Sequence, residues 1–383
     1  MSKRLLRLVV LGSALAAGLA VVAFALAVLL PSLGTLGRTA TVNFPVIGPW
    51  LVVAGLLAAV VGLVLRGRVV TGVGIVAVLL SGTLVAIFVV SVQRSGGSVN
   101  VGQALGRSAL GAGRPDARPV VPTSLHVSVY RPGRSPAPIL FYVHGGAWIS
   151  GTPDGNAADL RWFADQGWLV VSAEYRLADA ARPTWDLAPA DLACALTWTA
   201  ANAGALGGDA SRIVVAGDSA GGNLAINLGY AAATGRARFD CPGPVPKPVA
   251  VVAQYPAVDP LSIWAASAPL TGDSDPATTA QIFLRWYLGG TPAEHPDRVA
   301  AITSATYISR DAPRTLIISP DDDTLVPPAG VRSFAAAARS AGVPIEVVTV
   351  PFANHGFDAI AVHSMGNQAH RSIIMRFLGA LPS

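Results

Sequence analysis

A serine between glycines, in the run G-D-S-A-G at residues 217–221, is the strongest sign of chemistry in this sequence. It follows an apolar run at residues 212–216 that predicts a buried strand, and it precedes residues 223–228, which predict a helix. Such a motif between strand and helix makes a sharp turn that exposes one hydroxyl. The alternative is an ordinary glycine-rich loop. Because a serine held in this way is more often a nucleophile, we interpret Ser219 as the candidate nucleophile.

A glycine pair after another apolar strand predicts the second part of this chemistry. Gly145 and Gly146 follow residues 139–143 and His144. Without side chains, glycines allow backbone N–H groups to face a developing oxyanion. We therefore predict that the N–H groups of Gly145, Gly146 and Ala220 form an oxyanion hole. His144 is interpreted as a structural residue of the loop.

A histidine and a run of aspartates complete the candidate set. His355 follows a predicted strand at residues 345–350, and three consecutive aspartates at 321–323 follow another at 315–318. The order along the chain is serine, aspartate, histidine, which is the order of an α/β-hydrolase triad. His355 would act as the base on the serine hydroxyl, and a carboxylate would orient its imidazole. The order alone leaves the choice among the three aspartates open.

These residues require a scaffold that brings the ends of several strands together. From residue 125 onward, seven strand patterns alternate with helix patterns, which predicts a mostly parallel sheet with helices on both faces. The first strand, at residues 125–131, is expected to pair antiparallel at the sheet edge. The long connection at residues 263–307 predicts a lid, or cap insertion, over the active site.

Residues 125–383 resemble an α/β-hydrolase of the hormone-sensitive-lipase-like esterase group. The resemblance rests on H-G-G at 144–146, A-E-Y-R-L-A at 173–178, G-D-S-A-G-G-N-L-A at 217–225, D-T-L-V-P at 323–327 and H-G-F at 355–357. It implies a serine esterase that cleaves carboxylic esters through an acyl-serine intermediate, with no cofactor and no metal. It also selects Asp323 as the triad acid, with Asp322 as the alternative. Ala147 stands where many members of the group have a third glycine.

The N-terminal third has a different composition from the rest of the chain. Residues 1–124 hold ten of the 27 Lys and Arg residues but only one of the 22 acidic residues, Asp116. The basic charge of the chain therefore comes from this region, and the globular part lacks the clustered Lys and Arg of a nucleic-acid-binding protein. We predict no nucleic-acid partner, and the sequence leaves protein partners open.

Three uncharged apolar runs, at residues 8–30, 46–65 and 69–92, fill this region. Each reaches the roughly 20 residues that a helix needs to cross a bilayer. Their length argues against buried helices of a soluble protein, and against a cleaved signal peptide for the first run. We predict a three-helix transmembrane region at residues 1–94. Because the runs contain no charged residue, they favour an anchor over a transport path.

Basic residues predict how these helices are oriented. Lys or Arg is found at positions 3, 4 and 7 before the first run and at positions 66 and 68 in the second loop. By the positive-inside rule, the N-terminus and the second loop are cytoplasmic. The protein is then a multi-pass protein of the cell membrane with an extracytoplasmic catalytic domain. Residues 95–124, rich in Gly, Ser, Arg and Pro, predict a flexible linker to the catalytic domain at 125–383.

Cys194 and Cys241 are the only cysteines of the chain. Outside the cytoplasm a disulfide between them is permitted, and the alternative is a pair of buried free thiols. Sequence alone leaves both possibilities open.

The combined expectation is a membrane-anchored serine hydrolase whose substrate is a small-molecule or lipid ester. A lipase, a deacetylase of envelope glycans and an acyltransferase are the enzymatic alternatives. A non-catalytic ligand-binding receptor on a hydrolase fold is the alternative from another class, and such a receptor would be expected to lack the serine, the histidine or an oxyanion glycine. All three are present here.

Overall fold

The computed structural model describes residues 2–106, 113–266 and 279–381. Contacts divide the chain into two compact units. The first, which we call the helical unit, comprises Met1–Leu110, Pro320–Thr324 and Thr349–Arg376. The second, the sheet unit, comprises Gly111–Ser319, Leu325–Val348 and Phe377–Ser383.

Three long apolar helices form most of the helical unit, as the sequence predicts. They are α1 Lys3–Leu29, α2 Thr35–Val64 and α3 Arg68–Arg94, and each is long and apolar enough to cross a membrane. Helix α2 begins 11 residues before the apolar run at 46–65 and continues through Pro45 and Pro49. Hydropathy does not reveal residues 35–45 of this helix, because this segment contains polar residues that are nevertheless helical.

Small residues allow these helices to approach closely. A Cβ atom added at Gly62 would collide with the backbone of Thr71, and one added at Gly74 would collide with the backbone of Ala59. Close packing through glycine is typical of transmembrane helix pairs. Large apolar side chains such as Leu57 are exposed on the outside of the helices. An apolar exterior of this kind suits a lipid environment better than water.

A short segment after α3 is held within the same unit. It contains α4, Val101–Ala104. Ser98 and Asn100 exchange backbone–side-chain hydrogen bonds with Ser372 and Gln368 of helix α13, Met365–Gly379. Part of the expected linker, residues 107–112, lies outside the described residues, and the flexibility of residues 95–124 stays a prediction.

The sheet has seven strands in the order β1-β3-β2-β4-β5-β6-β7. The strands are β1 Val127–Tyr130, β2 Ala137–Val143, β3 Leu169–Ala173, β4 Gly208–Asp218, β5 Ala250–Gln254, β6 Arg314–Pro320 and β7 Ile345–Val350. As predicted, β1 is an antiparallel edge strand, and the pairs β3–β2, β2–β4, β4–β5 and β5–β6 are parallel. The continuous apolar runs of the central strands are buried, which is typical of parallel sheets covered on both faces.

The remaining helices follow the strands in alternation. They are α5 Ala157–Asp165, α6 Leu187–Ala201, α7 Ala203–Leu206, α8 Ser219–Ala233, α9 Pro260–Ala266, α10 Thr279–Leu288, α11 Pro296–Ile302 and α12 Pro328–Ser340. The expected lid at residues 263–307 contains α10, α11 and the end of α9, but its residues 267–278 lie outside the described part of the chain. Its role as a lid therefore stays a prediction.

One disulfide and one ion pair strengthen the sheet unit. Cys194 on α6 and Cys241 form a disulfide with Cα atoms 5.5 Å apart, so the two thiols are paired. Asp191, also on α6 and fully buried, receives two hydrogen bonds of 2.8 and 2.7 Å from the Arg176 guanidinium. This pair ties the loop after β3 to the helix.

Candidate active site

Ser219 lies in the sharp turn that the sequence predicts, where β4 ends at Asp218 and α8 begins. Its φ is +54°, in the left-handed region that non-glycine residues rarely adopt. A Cβ atom at Gly221 would collide with the carbonyl groups of Val143 and His144. The turn therefore requires glycine after the serine, and its strained serine backbone is typical of a functional site.

The glycine loop after β2 is fixed to this turn by Asp218. The N–H of Gly145 donates to Asp218 Oδ1 at 2.9 Å, and the Tyr142 hydroxyl donates to the same oxygen at 2.5 Å. The N–H of Gly145 is thus bonded to a protein acceptor. Gly146 has a φ of +118°, and a Cβ atom there would collide with the Ser150 carbonyl. Only glycine fits this position of the loop.

His144 has the structural role that the sequence analysis assigns to it. Its Nδ1 lies 2.7 Å from the Gly145 carbonyl oxygen, and its ring stacks on Tyr175 with centroids 4.4 Å apart. Burial lowers the pKa of His144, so the neutral imidazole donates from Nδ1 to that carbonyl. The Tyr175 hydroxyl donates to the His144 carbonyl at 2.9 Å and holds the loop from the other side.

Asp323 and His355 form a close pair within the helical unit. His355 Nδ1 lies 2.8 Å from Asp323 Oδ2, and only 1% of the Asp323 side chain is exposed. Because a carboxylate oxygen can only accept, the Nδ1 atom carries the proton. This tautomer is the one that a histidine base needs, since it leaves Nε2 as the basic nitrogen.

The contact with His355 distinguishes Asp323 from the two aspartates before it. The backbone N–H groups of Asp321 and Asp322 donate to the carbonyls of Val350 and Ala353, which pairs the two loops. Burial and the neighbouring charge of Asp321 raise the pKa of Asp322 to about 6. Of the three aspartates, Asp323 is the one that contacts His355.

Asn354 joins these two loops and is not among the site residues predicted from the sequence. Its Oδ1 atom accepts from the N–H of Thr324 at 3.0 Å, from the Thr324 hydroxyl at 3.2 Å and from the N–H of His355 at 2.8 Å. The amide therefore connects the residue after the aspartate with the histidine itself. Its position directly before His355 was the only available signal.

Ser219 and Ala220 lie in an apolar cleft within the sheet unit. The cleft is partly open to solvent and is lined by side chains that include Trp148, Phe283 and Val326. The Trp148 ring stacks on the buried Tyr287 ring with centroids 4.7 Å apart and an interplanar angle of 6°. Helix α10 thus contributes one aromatic residue to the cleft and another that supports Trp148.

Within residues 2–106, 113–266 and 279–381, no group of three or more His, Cys, Asp or Glu side chains has an arrangement that could hold a metal ion.

A match to a family model shows which proteins are related to this chain. The BD-FAE model matches residues 127–337, more than half of the chain. The chain belongs to the BD-FAE family. The match includes the glycine loop, the Ser219 turn and Asp323, and it ends before His355.

Known esterases are similar to this BD-FAE family member. Esterase LipC of Mycobacterium tuberculosis is 32% identical over 240 residues, which cover 61% of this chain and 57% of LipC. Carboxylesterase NlhH of the same organism is 32% identical over 244 residues, 61% of this chain and 72% of NlhH. The match thus spans little more than half of LipC. Both relatives agree with the predicted resemblance to hormone-sensitive-lipase-like esterases, which is confirmed.

A solved structure shows the same architecture. Esterase LipW from Mycobacterium marinum superposes with a TM-score of 0.53 at 26% identity and covers 77% of this chain and 91% of LipW. Together with the mostly parallel sheet, this confirms the predicted α/β-hydrolase fold. The roles of the individual site residues stay predictions.

Proposed function

We propose that this BD-FAE family member is a serine hydrolase that cleaves carboxylic esters through an acyl-serine intermediate, without a cofactor. The observation that carries this proposal is Ser219, held with a φ of +54° at an apolar cleft. The similarity to proteins named esterases supports the same conclusion.

In the proposed mechanism, Ser219 Oγ attacks the acyl carbonyl while His355 Nε2 takes the hydroxyl proton. The protonated imidazole then gives that proton to the leaving alcohol. Water, deprotonated by His355, attacks the acyl-serine and releases the carboxylic acid. Asp323 keeps the imidazole in the required tautomer and stabilises the imidazolium, and its 2.8 Å contact with Nδ1 supports this role.

We propose that the N–H groups of Gly146 and Ala220 stabilise the oxyanion. Ala220 is the second residue of α8, so the helix N-terminus adds favourable partial charge. Gly145 was predicted as a third donor, but its N–H donates to Asp218. In the proposed mechanism Gly145 shapes the loop, and it could serve as a donor only by giving up that bond.

The substrate is proposed to be a small-molecule or lipid ester with its acyl group in the apolar cleft. The apolar lining of the cleft beside Ser219 supports this placement of the acyl group.

We further propose that α1, α2 and α3 anchor the protein in the cell membrane, with a cytoplasmic N-terminus and an extracytoplasmic catalytic domain. The Arg7 guanidinium donates to the Leu65 carbonyl at 2.6 Å, so the N-terminus and the basic second loop belong to the same end of the helices. The positive-inside rule assigns such an end to the cytoplasm. The Cys194–Cys241 disulfide supports an oxidising compartment for the sheet unit.

The test is hydrolysis of p-nitrophenyl esters, from acetate to palmitate, by the full chain in detergent micelles. Ser219→Ala is expected to lower kcat by about four orders of magnitude or more. Ser211→Ala, an exposed serine on the same strand β4, is the matched control and is expected to behave as wild type. Undiminished hydrolysis by folded Ser219→Ala protein would contradict the mechanism.

A further inference from the structure

Helix α2 is hydrogen-bonded to the loop that carries His355. The Asn354 Nδ2 group donates to Thr41 Oγ1 at 3.0 Å, and both side chains are buried. Both residues belong to the helical unit, although 313 residues separate them along the chain. One end of the Asn354 amide therefore contacts a membrane helix and the other contacts the Asp323–His355 loops.

The Thr41 hydroxyl accepts a hydrogen bond from Asn354. Its own proton points to carbonyl groups of α2, those of Gly37 at 3.3 Å and Arg38 at 3.2 Å. The oxygen is therefore presented as an acceptor, and it requires the NH₂ group of the amide to face it.

This requirement fixes which way the Asn354 amide points. With Nδ2 on Thr41, Oδ1 faces the N–H groups of Thr324 and His355 and accepts from both. If the amide turned over, its NH₂ group would face those donors and leave them unpaired, which is costly in a buried site. The Thr41 oxygen thus selects the amide orientation that holds the two loops together.

A second contact from α2 reaches the same loop. Phe44, one turn after Thr41, packs edge-on against Phe352 with ring centroids 5.9 Å apart and an interplanar angle of 86°. Phe352 has a φ of +56°, so its backbone is in the left-handed region. Packing of this kind stabilises a conformation that the residue rarely adopts on its own.

The length of α2 allows this contact to lie outside the bilayer. Its 30 residues extend about 45 Å, against about 30 Å of hydrocarbon. Trp50 is exposed near the start of the apolar run, where aromatic residues mark a membrane interface. Thr41 lies nine residues earlier, about 14 Å along the helix axis.

We infer that Thr41 is a positioning residue for the Asp323–His355 pair, and that α2 belongs to the catalytic apparatus as well as to the anchor. The inference rests on the proposed function, because the catalytic role of the Asp323–His355 pair is part of that proposal. It assigns to the membrane region a part in catalysis that an anchor alone would not have.

The first experiment compares Thr41→Val, which removes the acceptor at equal size, with Thr41→Ser, which keeps it. In the full chain, Thr41→Val is expected to lower kcat for a p-nitrophenyl ester about 10-fold, with KM changed less than twofold. Thr41→Ser is expected to restore most of kcat. Ser81→Ala is the matched control, because the buried Ser81 hydroxyl on α3 donates to Ala77 of its own helix.

A double-mutant cycle tests whether Thr41 acts through Asn354. In an Asn354→Ala background, Thr41→Val is expected to have no further effect on kcat. A full 10-fold loss in that background would show that Thr41 acts by another route and would overturn the inference.

Amide hydrogen exchange provides a readout that needs no substrate. Thr41→Val is expected to speed exchange in the peptides that contain Thr324 and His355, while Ser81→Ala leaves them unchanged. Unchanged kcat and unchanged exchange in Thr41→Val would overturn the inference. If the wild-type chain hydrolyses no ester while exchange in these loops still depends on Thr41, the positioning contact stands and the proposed function fails.

Discussion

Asp218 binds the N–H of Gly145 through its Oδ1 atom at 2.9 Å, so the residue before the proposed nucleophile holds the glycine loop. Asp218→Ala is expected to release this loop and lower kcat by about 10- to 100-fold, because the proposed oxyanion donors are no longer held in place. Asp218→Asn keeps a carbonyl oxygen and is expected to lose less. Steady-state kinetics with p-nitrophenyl acetate measure both, and equal activity of Asp218→Ala and wild type would contradict the role.

Asp322 is expected to destabilise the folded protein at neutral and alkaline pH. Burial and the charge of Asp321 raise its pKa to about 6, above the usual value near 4. The folded state therefore favours the protonated carboxyl, and this contribution is complete below about pH 4 and is lost as the pH rises through about 6.

Asp322→Asn, which mimics the protonated form, should therefore stabilise the protein at pH 8 by about 1 kcal/mol. The effect is modest because solvent screens the charge of this half-exposed carboxyl. Thermal unfolding in detergent at pH 8 and pH 4 measures the effect. The gain should vanish at pH 4, and an equal gain at both values would point to a cause other than titration.

The ion pair between the buried Asp191 and the exposed Arg176 is expected to stabilise the sheet unit. Arg176→Met leaves the Asp191 carboxylate buried without its guanidinium and should cost about 3 kcal/mol of unfolding free energy. Adding Asp191→Asn removes the unpaired charge and should recover part of that loss. Urea unfolding of the single and double variants checks this, and strictly additive losses would argue against a coupled pair.

The disulfide offers a test of the proposed orientation. When cells are lysed directly into denaturant with a maleimide-polyethylene glycol reagent, Cys194 and Cys241 are expected to react only if a reductant is added first. A Cys194→Ser/Cys241→Ser double variant should stay unmodified, and it should lose up to about 4 kcal/mol of stability because the bridge closes a long loop. Modification of both thiols without a reductant would place the sheet unit in a reducing compartment.

Much of the fold follows from local sequence patterns. Continuous apolar runs predict the central strands, and G-D-S-A-G predicts the Ser219 turn, because these depend on neighbouring residues alone. Asp323 could be selected only through the D-T-L-V-P resemblance, because three adjacent aspartates have equivalent chemistry.

Long-range contacts could not be predicted in this way. The start of α2 at Thr35 lies outside the apolar run that revealed the helix. The contact of Thr41 with Asn354 joins residues 313 positions apart, and no local pattern encodes such a distance. Asp218 was visible within the motif, but its bond to Gly145 depends on how β2 and β4 lie side by side.

The hydrogen bonds of Ser98 and Asn100 to α13 bear on how this protein would respond to proteolytic shedding. A surface enzyme that is attached through a single linker is released when that linker is cut. Here the helical unit also contains Pro320–Thr324 and Thr349–Arg376, segments that come long after the linker. A cut between residues 106 and 113 would leave these segments packed with α1–α3. With the proposed membrane anchor, the protein is then expected to stay cell-associated as two chains.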